Sequence, residues 1–167
     1  MPTRPIAALL VAACLAALPA HARAQAVSGD LAKIQGKWWT RMYPLGGGRG
    51  IVQFIEIRGD AITGTNEDPG SKSVGRVKLD ESKSPKAIDY LDTVADTKAL
   101  KDIKLPDMHG IYETDGETLK IAMNTGILNS KRPTKFTFDY KNGISVTTYR
   151  RGEPTPEEAM PKVAAKA

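Results

Sequence analysis

The side chains most used for metal ligation and nucleophilic catalysis are scarce: the 167 residues hold two histidines, His21 and His109, and one cysteine, Cys14. His21 and Cys14 fall in a segment read below as a removable leader, which leaves His109. A zinc site takes three or four nitrogen, sulfur or carboxylate ligands, usually with more than one His or Cys. No metal is therefore expected. A serine hydrolase wants a histidine base oriented by a carboxylate, and no Gly-x-Ser-x-Gly elbow accompanies the serines. Strand alternation pairs His109 with Ala122 on the face of Glu113, Thr118 and Lys120, so a solvent-facing histidine is predicted. Gly46-Gly47-Gly48-Arg49-Gly50 lacks the Gly-Lys-Ser/Thr that opens the helix of a P-loop, and reads as a flexible loop. Glu113, Asp115 and Glu117 crowd one tight hairpin, whereas a glycosidase pair must flank a cleft from facing elements. Lys131, Arg132 and Lys135 form a basic patch next to Phe136, which the alternation turns to the core, so nucleic-acid binding is not expected. No catalytic constellation and no cofactor site emerges.

What remains is apolar. Trp38, Tyr112, Leu119, Met123, Phe136, Phe138 and Tyr140 fall on the apolar faces of alternating segments. Such faces are plain core in most domains, but in an eight-stranded barrel they also line a cavity for one small ligand. Tyr112, Leu119, Met123, Phe136 and Phe138 are the candidate cavity residues.

The start of the chain has the form of a signal peptide. A basic opening, Met1 to Arg4, precedes an apolar run from Ile6 to Leu18, and Ala22-Arg23-Ala24 supplies the small-x-small cleavage pattern. The run is shorter than the ~20 residues that cross a bilayer. Cleavage after 1–24 gives an exported protein, periplasmic or secreted, without a membrane span. Val11-Ala12-Ala13-Cys14 has the form of a lipobox, so anchoring through Cys14 is the competing reading; the apolar stretch before it is short and the chain stays apolar after it. With the leader gone no cysteine remains, which excludes disulfides and thiolate chemistry. The 24 Lys and Arg exceed the 19 Asp and Glu by +5, and loss of Arg4 and Arg23 reduces this to +3. A polyanion partner has no support in so small a charge.

Residues 25–151 are expected to form one domain. Ser28 could cap a short helical turn carrying Leu31 and Ile34, and strands are predicted over 37–43, 51–58, 61–65, 73–80, 87–91, 109–114, 117–123, 134–140 and 144–150. Hairpin register can be tested by whether it gathers apolar side chains on one face. A Gly59-Asp60 turn pairs Ile57 with Ile62; an Asp115-Gly116 turn pairs Tyr112 with Leu119 and Gly110 with Ile121. For the last hairpin, a Lys141-Asn142-Gly143 loop with left-handed Gly143 pairs Tyr140 with Ile144 and Phe138 with Val146. Two connections are long, 44–50 and 92–108, and the Pro-rich, charged tail 152–167 is expected without structure.

Gly36-Lys37-Trp38 after a short helical turn, a run of antiparallel strands, and Arg150-Arg151 closing the last of them resemble the lipocalin superfamily. The resemblance implies that the Trp38 indole packs under Arg150 or Arg151, a cation–π clasp closing one barrel end. It also implies that the loop 44–50 lies across the opposite mouth. Ser84-Pro85-Lys86-Ala87-Ile88-Asp89, the block from His109 to Ile121 and Arg132-Pro133-Thr134-Lys135-Phe136 are similar to a planctomycete-type uncharacterised exported domain family, over most of residues 31–151. That family implies a fold and no activity. The chain departs from it by the insertion at 92–108. The expectation is an all-β, lipocalin-like up-and-down barrel of about eight strands that binds a small apolar ligand and is not an enzyme. The alternatives are an envelope protein-interaction module, with an unknown protein partner, and a hydrolase with an unrecognised carboxylate site.

Overall fold

The computed structural model describes residues 27–43, 50–67, 70–98, 101–125 and 131–159. The expected leader 1–24, most of the glycine-rich loop and the end of the tail lie outside the described residues.

A five-residue helix, α1 (Gly29–Lys33), leads into strands β1 (Gly36–Met42), β2 (Ile51–Arg58), β3 (Ala61–Asn66), β4 (Lys72–Asp80) and β5 (Ala87–Asp96). A two-residue strand β6 (Ile103–Lys104) follows, then β7 (Met108–Thr114), β8 (Thr118–Asn124), β9 (Ile144–Arg151) and a final helical turn, α2 (Pro156–Ala159). Eight of these strands form a closed antiparallel barrel in the order β1-β2-β3-β4-β5-β7-β8-β9, with β9 returning to β1 through Trp38 opposite Arg151 and Trp39 opposite Arg150. This is the lipocalin-like up-and-down design, in which closure leaves the ring without an unpaired edge. β6 is appended outside it, pairing with Val94 and Ala95 of β5.

The core fills the barrel end beside α1. Trp38, Ile55, Ile57, Ile62, Val77, Ile88, Tyr112, Leu119, Ile121 and Tyr149 point inward, and Leu31 and Ile34 close over them. Each fully buried Ile or Leu contributes roughly 1.5–3 kcal/mol, so alternation alone accounts for the choice of inward face. Gln35 ties the plug to the adjacent turn: its amide donates to Leu31 O and Gly59 O and accepts from Gly59 N. Gly36 holds φ of 101° between helix and barrel, a conformation that selects glycine.

The first hairpin has the expected register, with Ile57 opposite Ile62. The second differs by two residues. Tyr112 faces Ile121, Gly110 faces Met123 and His109 faces Asn124 across a four-residue loop. The Asp115 carboxylate accepts from the amides of Glu117 and Thr118, which stabilises the wider loop. A shift of two keeps every side chain on its predicted face.

The expected strand 134–140 is absent. β9 is paired on one side with β8, from Asn124 opposite Ile144 to Thr118 opposite Arg150, and on the other with β1 at Arg150 and Arg151, and residues 134–140 add no ladder to it. Residues 131–139 instead cross the outside of the barrel, joined to β9 by a single bridge between Asp139 and Ile144. The pairings of Tyr140 with Ile144 and Phe138 with Val146 are not formed. Gly143 is nevertheless left-handed, with φ of 68°, because Tyr140–Asn142 make a 3₁₀ turn capped by the Asp139 carboxylate.

Two further segments are more ordered than expected. The stretch 92–108 contributes the end of β5 and all of β6. The tail holds α2, where Thr155 Oγ1 accepts from Glu158 N and the Glu158 carboxylate accepts from Thr155 N, a reciprocal capping box with Pro156 at the first helical position. Among the described residues no helix is long and apolar enough to cross a membrane.

Candidate functional site

The half of the barrel away from α1 is hollow. A cavity of about 440 Å³ lies between β2, β3, β4, β5, β8 and β9, within the size range of small-molecule sites. Ile55, Ile62, Ile121, Met108, Met123 and Leu105 give it an apolar wall, and Met42 lines its outer end. Gly64, Ser73 and Gly75 put only small side chains on the β3–β4 side. A Cβ added at Gly64 would stand 2.6 Å from Ser73 Oγ, and one added at Gly75 2.7 Å from Thr93 Oγ1. At Gly75 the Leu91 carbonyl, 3.0 Å from the same point, also closes off a larger residue, whereas at Gly64 the Ser73 hydroxyl alone would have to turn away.

No described lining residue carries a formal charge, so the polar groups of the cavity are hydroxyls and one amide. Tyr149 donates to Gln53 Oε1 at 3.3 Å, and Ser145 donates to the Met123 carbonyl at 3.4 Å. Burial raises the Tyr149 phenol pKa; burial and then the neighbouring Tyr149 raise that of Tyr90 further, so both stay protonated at neutral pH. The Tyr90 hydroxyl and Thr93 Oγ1 are shielded from solvent without a hydrogen-bond partner among the described residues.

A backbone irregularity places the second of these side chains, Thr93. Strict alternation from inward Tyr90 would send Asp92 inward and Thr93 out. Asp92 instead adopts φ of 51° at a register break, between Val74 opposite Val94 and Arg76 opposite Leu91. Its carboxylate turns outward to Arg76, at 2.5 Å, and its amide donates to Asp107 Oδ1. Thr93 is thereby brought to the cavity, 6% exposed, beside Tyr90. β-Bulges commonly re-aim a side chain in this way next to a site.

The opposite end is sealed by charge as well as by apolar packing. Asp30 of α1 is 2% exposed and accepts from Lys33 Nζ at 2.8 Å, Lys86 Nζ at 2.5 Å and the Tyr112 hydroxyl at 3.1 Å. Burial alone would raise its pKa; the bonds from Lys33, Lys86 and Tyr112 outweigh that and hold it at about 2. Tyr112 shifts the other way, pushed up first by burial and then by the Asp30 charge.

Of the five candidate cavity residues, only Met123 lines the cavity. Tyr112 and Leu119 are fully buried in the packed end. Phe136 and Phe138, expected inward, lie on the segment outside the barrel: Phe136 sits under Lys120 Nζ at 4.7 Å from the ring centroid, and Phe138 is 53% exposed. Both misplacements follow from the missing strand, since alternation along 134–140 has no ladder to act through. Gln53, Tyr90, Thr93 and Met108 are among the lining residues that the sequence reading missed. Their positions 53 and 90 continue the inward phase of Ile55 and Ile88, a usable signal, whereas Thr93 depends on the bulge.

The clasp residues meet as the resemblance implied. The Arg151 guanidinium lies 4.2 Å from the Trp38 ring centroid, and Arg150 lies 5.7 Å from that of Trp39. His109 is half-buried rather than free in solvent, its Nδ1 3.0 Å from Asp89 Oδ1. Arg132 binds the same carboxylate at 2.7 Å and donates to the carbonyls of Ile88 and Gly110, pinning the outer segment to β5 and β7. Glu113 pairs with Lys120 on the outer face. Among the described residues no three His, Cys, Asp or Glu side chains are grouped to hold a metal ion.

Fold and cavity together define a small closed β-barrel with a ligand-sized interior at one end, lined among the described residues by uncharged side chains. In comparisons with family models, curated proteins and solved structures, the chain matches none.

Proposed function

We propose that this chain is an exported, lipocalin-like binding protein that holds one small, largely apolar molecule inside the barrel and catalyses no reaction. The cavity of about 440 Å³ walled by Ile, Leu and Met side chains carries this reading. Burying the apolar surface of a ligand there would supply ~25 cal/mol per Å², opposed by the loss of ligand freedom. Export rests on the leader pattern of residues 1–24, and kinship with the lipocalin superfamily on Gly36-Lys37-Trp38 with Arg151. Titration with the neutral fluorophore N-phenyl-1-naphthylamine tests the binding. Saturable fluorescence at one probe per chain, abolished by the cavity-filling Thr147→Phe, is the expected result. Absence of saturable binding, or binding indifferent to Thr147→Phe, overturns it. Native mass spectrometry of the protein from its own host would then identify the cargo.

A second reading, docking of an envelope protein, draws on one observation. Phe138 and Tyr140 (70% exposed) stand close in sequence on the outer segment, and exposed apolar patches mark interaction surfaces. Failure of the probe titration would make this the leading reading.

A further inference from the structure

The positive charge of the chain is concentrated in one place. Residues 25–167 carry an excess of +3; residues 131–141 alone hold Lys131, Arg132, Lys135 and Lys141 against Asp139, also +3, so the remainder sums to zero. Arg132 is bound to Asp89, and the Asp139 carboxylate accepts from Asn142 N and Nδ2, while Lys131, Lys135 and Lys141 are exposed. The same segment carries Phe138 and Tyr140, the two most exposed large hydrophobic side chains among the described residues. Although it joins no ladder, it is fixed at both ends. Arg132 pins one end to the Ile88 and Gly110 carbonyls, and the Asp139–Ile144 bridge with its 3₁₀ turn holds the other. A groove of about 370 Å³ results, lined by Pro133, Phe138 and Ile144 together with Lys131 and Lys135.

Resting on the docking reading, and independent of what the barrel interior holds, we propose that this groove binds an acidic peptide segment of a protein partner. One aromatic or aliphatic side chain of the peptide sits against Phe138, and Asp or Glu residues on either side of it face Lys131, Lys135 and Lys141. A seated side chain of this kind supplies most of the affinity of an interface, and the charges at its rim select the partner. A groove held in place beforehand lowers the ordering cost of docking. Its concave form suits one inserted side chain, whereas a bilayer presents a broad flat face. Nucleic acid is disfavoured because its affinity rests on neutralising a series of phosphates, for which one patch of +3 is small.

Fluorescence anisotropy of the full chain with three sets of short peptides, labelled with a neutral fluorophore, tests this. Each set varies the central residue over Phe, Tyr, Trp, Leu, Ile and Met, flanked by Glu in the first set, Gln in the second and Lys in the third. The expected result is saturable one-to-one binding of at least one Glu-flanked peptide, at least about five-fold tighter than its Gln counterpart at low salt. The gap should shrink as ionic strength passes ~0.15 M, where the Debye length is ~8 Å. Phe138→Ser should weaken that peptide at least about ten-fold, as loss of a central aromatic contact does. Lys135→Glu and Lys141→Glu should each weaken it by about two- to five-fold, and none of the three should alter N-phenyl-1-naphthylamine binding. Equal affinity for Glu- and Gln-flanked peptides, or indifference to both lysine substitutions, overturns the acidic partner and leaves the docking reading standing. Failure of all three sets, with phosphatidylglycerol vesicles bound in a Phe138-dependent way, overturns the peptide and assigns the surface to a membrane. Failure of peptides and vesicles alike overturns the docking reading as well.

Discussion

Arg151 stands over Trp38 with its guanidinium carbon 4.2 Å from the ring centroid, and the same guanidinium donates to the carbonyls of Lys33, Gln35 and Gly116. One side chain thus joins the end of α1, the first residues of the barrel and the β7–β8 turn over a fully buried indole. The indole in turn donates to Ile34 O at 2.8 Å. Removing the ring opens a large cavity in the packed end, so Trp38→Ala is expected to lose ~3–5 kcal/mol in urea melts. Arg151→Met keeps much of the stem but strands three carbonyls, for a loss of about 2–3 kcal/mol. Trp39 is also buried (6% exposed) but lies on the outer face, outside the core cluster that holds Trp38, with the Arg150 guanidinium 5.7 Å from its ring, so Trp39→Ala should lose less than Trp38→Ala. Equal losses for the two tryptophans would contradict this division.

Asp30 makes the barrel sensitive to acid. Its pKa falls from an ordinary 3.8 to about 2 in the folded chain. The depressed value means that the stabilisation is fully present above pH 4, fades between pH 4 and pH 2, and is absent below that. The difference corresponds to about 2 kcal/mol. Urea melts of the native chain should show this loss over that window, superimposed on smaller contributions from exposed carboxylates. Asp30→Asn should be less stable at neutral pH, and the segment of the pH curve between 4 and 2 should flatten. An unchanged slope in the variant would place the acid sensitivity elsewhere.

Legibility followed the physics that each residue depends on. Inward faces read true wherever a strand sits between two others, as at Ile55, Ile57 and Ile62, because burial on one side fixes a period of two. Gly143 read true for a local reason, the left-handed turn after Asn142, even though the strand drawn before it does not exist. Phe136 and Phe138 misled because alternation is necessary but not sufficient for a strand: a ladder partner is also required, and residues 134–140 meet β9 only at the Asp139–Ile144 bridge. The Thr155-Pro156-Glu157-Glu158 capping box was available in the sequence and outweighs the Pro-rich composition around it locally. Thr93 was illegible, since its orientation comes from a left-handed Asp92 held by Arg76, a long-range contact that no local pattern announces.

The outer segment and the cavity should respond oppositely to substitution. Phe138 is half exposed and touches no core, so Phe138→Ser is expected within about 0.5 kcal/mol of the native chain and without effect on N-phenyl-1-naphthylamine affinity. Met123 is buried between the packed end and the cavity. Met123→Ala should destabilise by ~2–4 kcal/mol and change probe affinity, because it both removes packing and enlarges the site. Urea melts and probe titrations on the two variants check both halves. A strong loss of probe binding in Phe138→Ser would move the site to the outside of the barrel.

A ligand that enters the barrel must also stabilise it. Binding to the folded state alone adds RT ln(1 + [L]/Kd), or about 2.7 kcal/mol when free N-phenyl-1-naphthylamine is at 100 times its Kd. For a domain of this size that shifts the unfolding midpoint upward by roughly 5–10 °C. The shift should grow with the logarithm of probe concentration and vanish in Thr147→Phe, whose ring occupies the space between β8, β9 and Gln53. It should persist in Trp39→Ala, which alters only the outer face. Thermal melts followed by far-ultraviolet circular dichroism are blind to probe fluorescence and so independent of the titration. A probe that fluoresces with the protein but leaves the midpoint unmoved at every concentration is adhering to the surface near Phe138 and Tyr140, and the interior then has no claim to a ligand.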